Sequence, residues 1–143
     1  MVWHFLDNVA MPCTYCGHDT RTTNSRPSQK SRSVWRRHHC HNCGADFTTY
    51  EYVDLSSSHL VLKRNGKSVP FSRDKLLYSI VRSIDRRHSA ISDSTELTRT
   101  IIAKILRLNT ALVPSEKIYE ITAKVLKNFD RPGYIRYTSF HQN

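Results

Sequence analysis

Two dithiol motifs, Cys13-x-x-Cys16 and Cys40-x-x-Cys43, hold all four cysteines of the chain and constrain it more than any other feature. Two intervening residues let both sulfurs of a pair reach one ion about 2.3 Å away, and two such pairs complete a tetrahedron. In a reducing compartment the pattern reads as a four-thiolate zinc site, with a redox dithiol as the competing use. Gly17 and Gly44 follow the second cysteine of each pair. Glycine there lets the chain turn sharply, so that backbone N–H groups face the thiolates. With four sulfurs bound, no coordination position stays open, so the expected role is structural, with one Zn2+ per chain. His38, His39 and His41 flank Cys40. Beside four correctly spaced cysteines they read as surface or nucleic-acid-facing groups rather than ligands.

No apolar run approaches the roughly 18 residues of a spanning helix. The opening MVWHFLDNVA lacks the basic start and longer apolar stretch of a secretory signal. A cytoplasmic location without membrane contact is the expectation.

The 143 residues suit one ordinary domain or two small ones, and the net charge of +10 suits a polyanionic partner. Residues 1–11 read as an N-terminal extension, 12–52 as the cysteine module, 53–59 (VDLSSSH) as a linker, and 60–143 as a second module. Residues 12–52 hold six Lys/Arg against three Asp/Glu, and residues 60–143 hold sixteen against seven, so both modules are basic.

Within the cysteine module, no Asp or Glu occurs from Thr20 to Ala45, while Arg21, Arg26, Lys30, Arg32, Arg36 and Arg37 are spread through that stretch with Trp35 among them. Arginine forms forked bonds to phosphate and to guanine edges. An acid-free basic surface on a metal-held ribbon therefore points to nucleic acid. A solvated loop without a ligand is the bland alternative.

The second module opens with HLVLKR and KSVPF around Asn65-Gly66, a pair that accepts the positive φ angles of a tight hairpin turn. Ser72 offers an N-cap to a helix over about 73–87, with Leu76, Leu77, Ile80, Val81 and Ile84 on one face. A second helix is expected from near Asp93, with Glu96 completing a capping box and Leu97, Ile101, Ile105 and Leu108 inward. Ser115 offers a cap to a third helix, whose stripe is Ile118, Ile121, Val125, Leu126 and Phe129. Pro132 suits the first turn of a final short helix. The sum is a hairpin and four helices.

These residues resemble the NrdR family of bacterial repressors of ribonucleotide reductase genes. The resemblance covers nearly all of residues 11–140. It runs through Met11-Pro12-Cys13-Thr14-Tyr15-Cys16, Asn24-Ser25-Arg26, Arg36-Arg37 and Phe47-Thr48-Thr49-Tyr50-Glu51 in the ribbon. It continues through Val61–Leu76 (VLKRNGKSVPFSRDKL), which looks like the opening of an ATP-cone, and closes with Tyr134–Phe140. The implied class is α+β: a small zinc ribbon, then a mainly helical ATP-cone with an N-terminal β-hairpin. The resemblance implies ATP and dATP as effectors, a homo-oligomer whose state follows the bound nucleotide, and promoter DNA as partner. In this chain Val61 would pack on the base or ribose. Lys63, Arg64 and Lys75 would converge on the triphosphate, with Asn65-Gly66 supplying the turn. The implied place of action is the bacterial cytoplasm, at the nucleoid.

The chain departs from the family at several points. Members often carry four arginines before the third cysteine, where this chain has Trp35-Arg36-Arg37-His38-His39. Part of the fixed charge is thereby replaced by aromatic or titratable groups. Val69 stands where relatives often have Glu, and Ala45-Asp46 replaces a more basic pair. Met11 stands where members begin. Two other classes compete. A detached regulatory module of a ribonucleotide reductase would also carry an ATP-cone. An RNA-binding zinc-ribbon protein would share the cysteines but not the second module. The chain shows no Walker-type loop, no spare cysteine and no paired carboxylates at catalytic spacing, so a non-enzyme is expected.

Overall fold

A computed structural model describes residues 10–141. Residues 1–9, most of the stretch read as an extension, lie outside the described residues. The chain divides between Val53 and Asp54 into two compact units.

The first unit is a three-stranded antiparallel sheet ordered β1 (Thr20–Ser28), β2 (Ser33–Cys40), β3 (Asp46–Tyr52). The register sets Thr20 opposite Cys40 and Ser28 opposite Ser33, with a bulge between Thr22 and Asn24. One end of the β1–β2 hairpin therefore meets the cysteines, and the other end is the turn at residues 29–32. Arg32 closes that turn at φ 51°, a left-handed conformation that costs a side-chain-bearing residue about 1–2 kcal/mol. Because side chains alternate across a strand, one sheet face carries Thr20, Thr22, Val34, Arg36, His38, Phe47, Thr49 and Glu51. The other carries Arg26, Trp35, Arg37, Thr48, Tyr50 and Tyr52.

The second unit opens with α1 (Leu55–Ser58), a single turn capped by Asp54, whose carboxylate accepts from the Ser56 N–H at 2.9 Å. This turn falls inside the stretch expected as a linker. Leu55 is buried in the core of the second unit, which anchors the turn there.

The hairpin follows as β4 (Leu60–Leu62) and β5 (Ser68–Pro70), paired antiparallel. Gly66 has φ 79°, whereas Asn65 does not share the positive φ expected of both. Lys63 N–H donates to Lys67 O and Gly66 N–H to Lys63 O, both at 2.9 Å. The connection is therefore a three-residue loop with glycine in the left-handed position rather than a two-residue turn. A third strand, β6 (Leu112–Pro114), runs parallel to β4, in the order β5-β4-β6.

Among the described residues, four longer helices complete the unit: α2 (Arg73–Ile84), α3 (Ala90–Leu106), α4 (Ser115–Phe129) and α5 (Arg131–Phe140). Ser72 caps α2 as expected, its hydroxyl accepting from Lys75 N–H at 3.2 Å. Helix α2 ends three residues short of the expected limit, where Arg87 N–H turns back to Ile84 O. Helix α3 begins at Ala90 rather than near Asp93. Asp93 takes the Ser89 hydroxyl and Arg87, and Glu96 pairs with Arg99 instead of closing a capping box. Ser115 is the first residue of α4 and Pro114 holds the cap position, with no side-chain capping bond. Asp130 caps α5, accepting from Gly133 N–H at 2.7 Å, with Pro132 in the first turn.

The helices contact one another in a ring: α2 with α3, α3 with α4, α4 with α5, and α5 with α2. Ile80, Ile84, Ile101, Ile105 and Leu126 are fully buried at its centre, joined by Phe71, Leu76, Leu97, Val113 and Tyr137. Each such side chain contributes about 1.5–3 kcal/mol by leaving water. Among the described residues, no helix is long and apolar enough to cross a membrane.

Candidate metal centre, basic ribbon and nucleotide hairpin

The cysteine pairs sit on two turns of one design. Gly17 N–H donates to Cys13 O, and Gly44 N–H donates to Cys40 O, each at 2.9 Å. Cys13 N–H reaches His18 O and Cys40 N–H reaches Ala45 O. Gly17 and Gly44 have φ of 75° and 73°, so each turn needs glycine at the same step. The turns oppose their sulfurs, with Cys13 Sγ 3.7 Å from Cys43 Sγ and Cys16 Sγ 3.5 Å from Cys40 Sγ. All four sulfurs lie within 4.8 Å of one another. Tetrahedral zinc with bonds of about 2.3 Å needs sulfurs about 3.8 Å apart, so the residues fit the ion.

The electrostatics agree with a cation site. The His18 N–H, with help from Asn42, pulls Cys16 down to about 6. The Ala45 N–H also favours a Cys43 thiolate. Cys16, desolvation, Cys40 and Cys13 together outweigh it and push Cys43 up to about 12. Four thiolates this close need a positive charge among them. Tyr15 N–H and Asn42 Nδ2 supply outer bonds to Cys13 and Cys16 sulfur. Zinc held by four thiolates is a structural ion.

His38 differs from expectation. It is buried, stacked on Phe47 at 5.1 Å, with Nε2 2.8 Å from Thr49 Oγ1 and Nδ1 3.4 Å from Thr22 Oγ1. It is a core group of the sheet, not a surface group. Cys40 faces inward and His38 lies two residues earlier on the same strand face, a strand-period signal available in the sequence. His39 is half-buried and bonded to Asp46 at 2.9 Å, and His41 is exposed.

Of the six basic ribbon residues, Arg21, Arg26, Lys30, Arg32 and Arg37 are exposed and Arg36 is half-buried. Arg26 lies 5.7 Å over the Trp35 ring. Arg36 pairs with Glu51 at 2.9 Å and bonds Ser25, and Arg37 pairs with Asp46 at 3.1 Å. In the second unit Val61 is half-buried against the core. Lys63, Arg64, Asn65 and Gly66 are exposed along the hairpin loop, and Lys75 is exposed in the first turn of α2. Arg64 Nε bonds Glu116 Oε1 at 3.1 Å. Glu116 lies 52 residues from Arg64 and carries no local sequence signal of the pairing. Its own N–H, and then Arg64, hold its carboxyl below the usual range.

A family model described as the N-terminal domain of NrdR-like transcriptional repressors matches residues 11–51, and the ATP cone domain matches residues 59–143. The chain is 37% identical to a protein named transcriptional repressor NrdR from Aromatoleum aromaticum, over 93% of this chain and 78% of that relative. It belongs to the NrdR family of transcriptional repressors. A Phenylobacterium zucineum NrdR is 36% identical over 93% of this chain and 86% of its own length. A Pediococcus pentosaceus NrdR is 34% identical over 92% and 84%. The NrdR matches span both units, so the ribbon and the cone of this NrdR member are features of one architecture. Relatives so named are repressors rather than enzymes.

Proposed function

We propose that this chain is a nucleotide-responsive repressor of ribonucleotide reductase genes. Its ribbon grips operator DNA, and its cone takes ATP or dATP and thereby sets the oligomeric state. The observation that carries the reading is the union in one chain of a thiolate-held, acid-poor basic sheet with an ATP-cone. Residues 12–52 form the DNA-binding module and 60–143 the nucleotide module.

Arg21, Arg26, Lys30 and Arg32 lie along β1 and its turn, where DNA phosphates would meet them. Arg36 and Arg37 are engaged with carboxylates, but exposed pairs of this kind contribute only about 0–1 kcal/mol. A DNA phosphate can take the carboxylate's place. In the cone, Lys63 and Lys75 would bind phosphates, Val61 would pack on the sugar or base, and Asn65-Gly66 would hold the loop. Arg64 would exchange Glu116 for phosphate. Two assemblies that differ in nucleotide affinity would then change population with the effector. The protein acts in the bacterial cytoplasm, at the nucleoid.

Native mass spectrometry of the full chain with ATP, dATP or neither, run beside gel shifts on the promoter, tests this. One zinc per chain, a subunit number that follows the nucleotide and a matching change in the shift are expected. The same assembly and the same DNA affinity under all three conditions would end the proposal.

A further inference from the structure

The two faces of the ribbon sheet differ in chemistry. On one, Arg36 is tied to Glu51 and Ser25, and His38 is buried beneath Phe47. On the other, the register sets Arg26 beside Trp35 and Trp35 beside Tyr50, a straight line across all three strands. Tyr52 follows on the same face and stacks on Tyr50, with centroids 5.8 Å apart and planes 15° apart. Tyr50 is 55% exposed and Tyr52 46%. Among the described residues of the three strands, Asp46 is the one carboxylate on this face, and it lies at the cysteine end, engaged with Arg37 and His39. Arginine, and no other acid of these strands, flanks the aromatic line.

We infer that this face is a stacking platform for unpaired bases, so that the ribbon binds single-stranded DNA as well as a duplex. The inference rests on reading the ribbon as a DNA-binding module. Three aromatic side chains in file on a sheet present π surface that any base can share, while arginines beside them meet the backbone charge. The guanidinium of Arg26 on Trp35 extends the stack, because bases pack on guanidinium planes as they do on rings. A protein partner would need acidic groups facing Arg26, whereas a nucleic acid strand supplies both the charge and the rings. The strand is DNA because the ribbon's proposed partner is DNA. Trp35, on the middle strand, is the centre of the line.

The test uses the full zinc-loaded chain carrying Trp3→Phe, which leaves Trp35 as the sole tryptophan. It is titrated with a thymidine oligomer of about 12 nucleotides, a length in the range that single-strand-binding OB-folds cover, and in parallel with the uridine oligomer. Saturable quenching of Trp35 emission by the thymidine oligomer is expected. Tyr50→Ala should weaken binding roughly tenfold, the loss of one base–aromatic stack. Tyr50→Phe should keep it, since the ring and not the hydroxyl carries the contact. Ser25→Ala, on the opposite face, should bind as the parent does, and zinc content should match in every variant.

Absent quenching overturns the inference, as does a Tyr50→Ala chain that retains zinc and binds at full strength. Tighter binding of the uridine oligomer overturns the choice of DNA. A promoter gel shift that persists without quenching would refute the platform and leave the repressor reading standing. Quenching without any promoter shift would do the reverse.

Discussion

Gly133 lies in the first turn of α5 with no unusual backbone angle, yet space forbids any other residue. An added Cβ would sit 2.6 Å from both Asp130 Oδ2 and Ile84 Cγ2. The first is the oxygen that caps α5 through Gly133 N–H, and the second belongs to a fully buried side chain. Gly133→Ala should therefore lower stability by about 1–3 kcal/mol, the usual cost of forcing a methyl into a packed site. Thermal unfolding followed by far-ultraviolet circular dichroism measures it, and an unchanged midpoint would refute the packing argument. Asn109 is the converse case. It has φ 52° just past the end of α3, where backbone conformation rather than space favours Asn or Gly. What the sequence discloses at this scale follows the same division. The cysteine spacing is legible because local chain geometry dictates which sulfurs can share an ion. The burial of His38 follows from strand alternation once Cys40 faces inward. The Arg64–Glu116 pair joins residues 52 apart and leaves no local trace.

The helices are legible as elements because their apolar stripes repeat at the helical period, and Leu76, Ile80, Ile84, Leu97, Ile101, Ile105, Val125 and Leu126 are buried as that period requires, whereas Phe129, at the end of its stripe, is exposed. Their ends are less so. Ser89, Asp93, Ser115 and Glu116 are all chemically able to cap or to pair, and tertiary partners decide which they do. Strand β6 leaves no signal in the sequence because three residues, Leu112–Pro114, are too few to show a period. Around α3 the deciding partner is Arg87. It bonds Asp93 at 3.0 Å and Asp130 at 3.2 Å, joining the start of α3 to the cap of α5. The Ser89 hydroxyl, and then Arg87, hold the Asp93 carboxyl below its ordinary 3.8. A carboxyl depressed by folding contributes stability that is present above its unfolded value and is lost as pH falls through the lower folded value. The midpoint of thermal unfolding should thus drop below pH 3.8. Asp93→Asn should start lower at neutral pH and lose less on acidification. Parallel pH curves for the two proteins would show that Asp93 is not a source of the acid sensitivity.

The two units rest on different physics. Among the described residues, thirteen buried hydrophobic side chains form one core in the second unit. In the first, the buried set among the described residues is Cys13, Thr20, Ser33, His38 and Cys40, with no aliphatic side chain larger than cysteine. A sheet of this size cannot offset its conformational entropy with so little apolar burial. The missing stabilisation comes from the metal, because binding free energy at a site assembled only on folding is folding free energy. Chelation should therefore unfold the ribbon and spare the cone. In hydrogen exchange on the full chain, residues 20–52 should lose protection after a strong chelator is added, while the buried helical segments of 73–140 keep theirs. The 222 nm helix signal should stay near its starting value. Restored zinc should restore the ribbon, since no disulfide links the four free cysteines. Joint loss of protection in both units would mean that the cone depends on the ribbon for its own stability. Retained protection in both would mean that the sheet's polar contacts, His38 with Thr22 and Thr49 foremost, hold it without the ion.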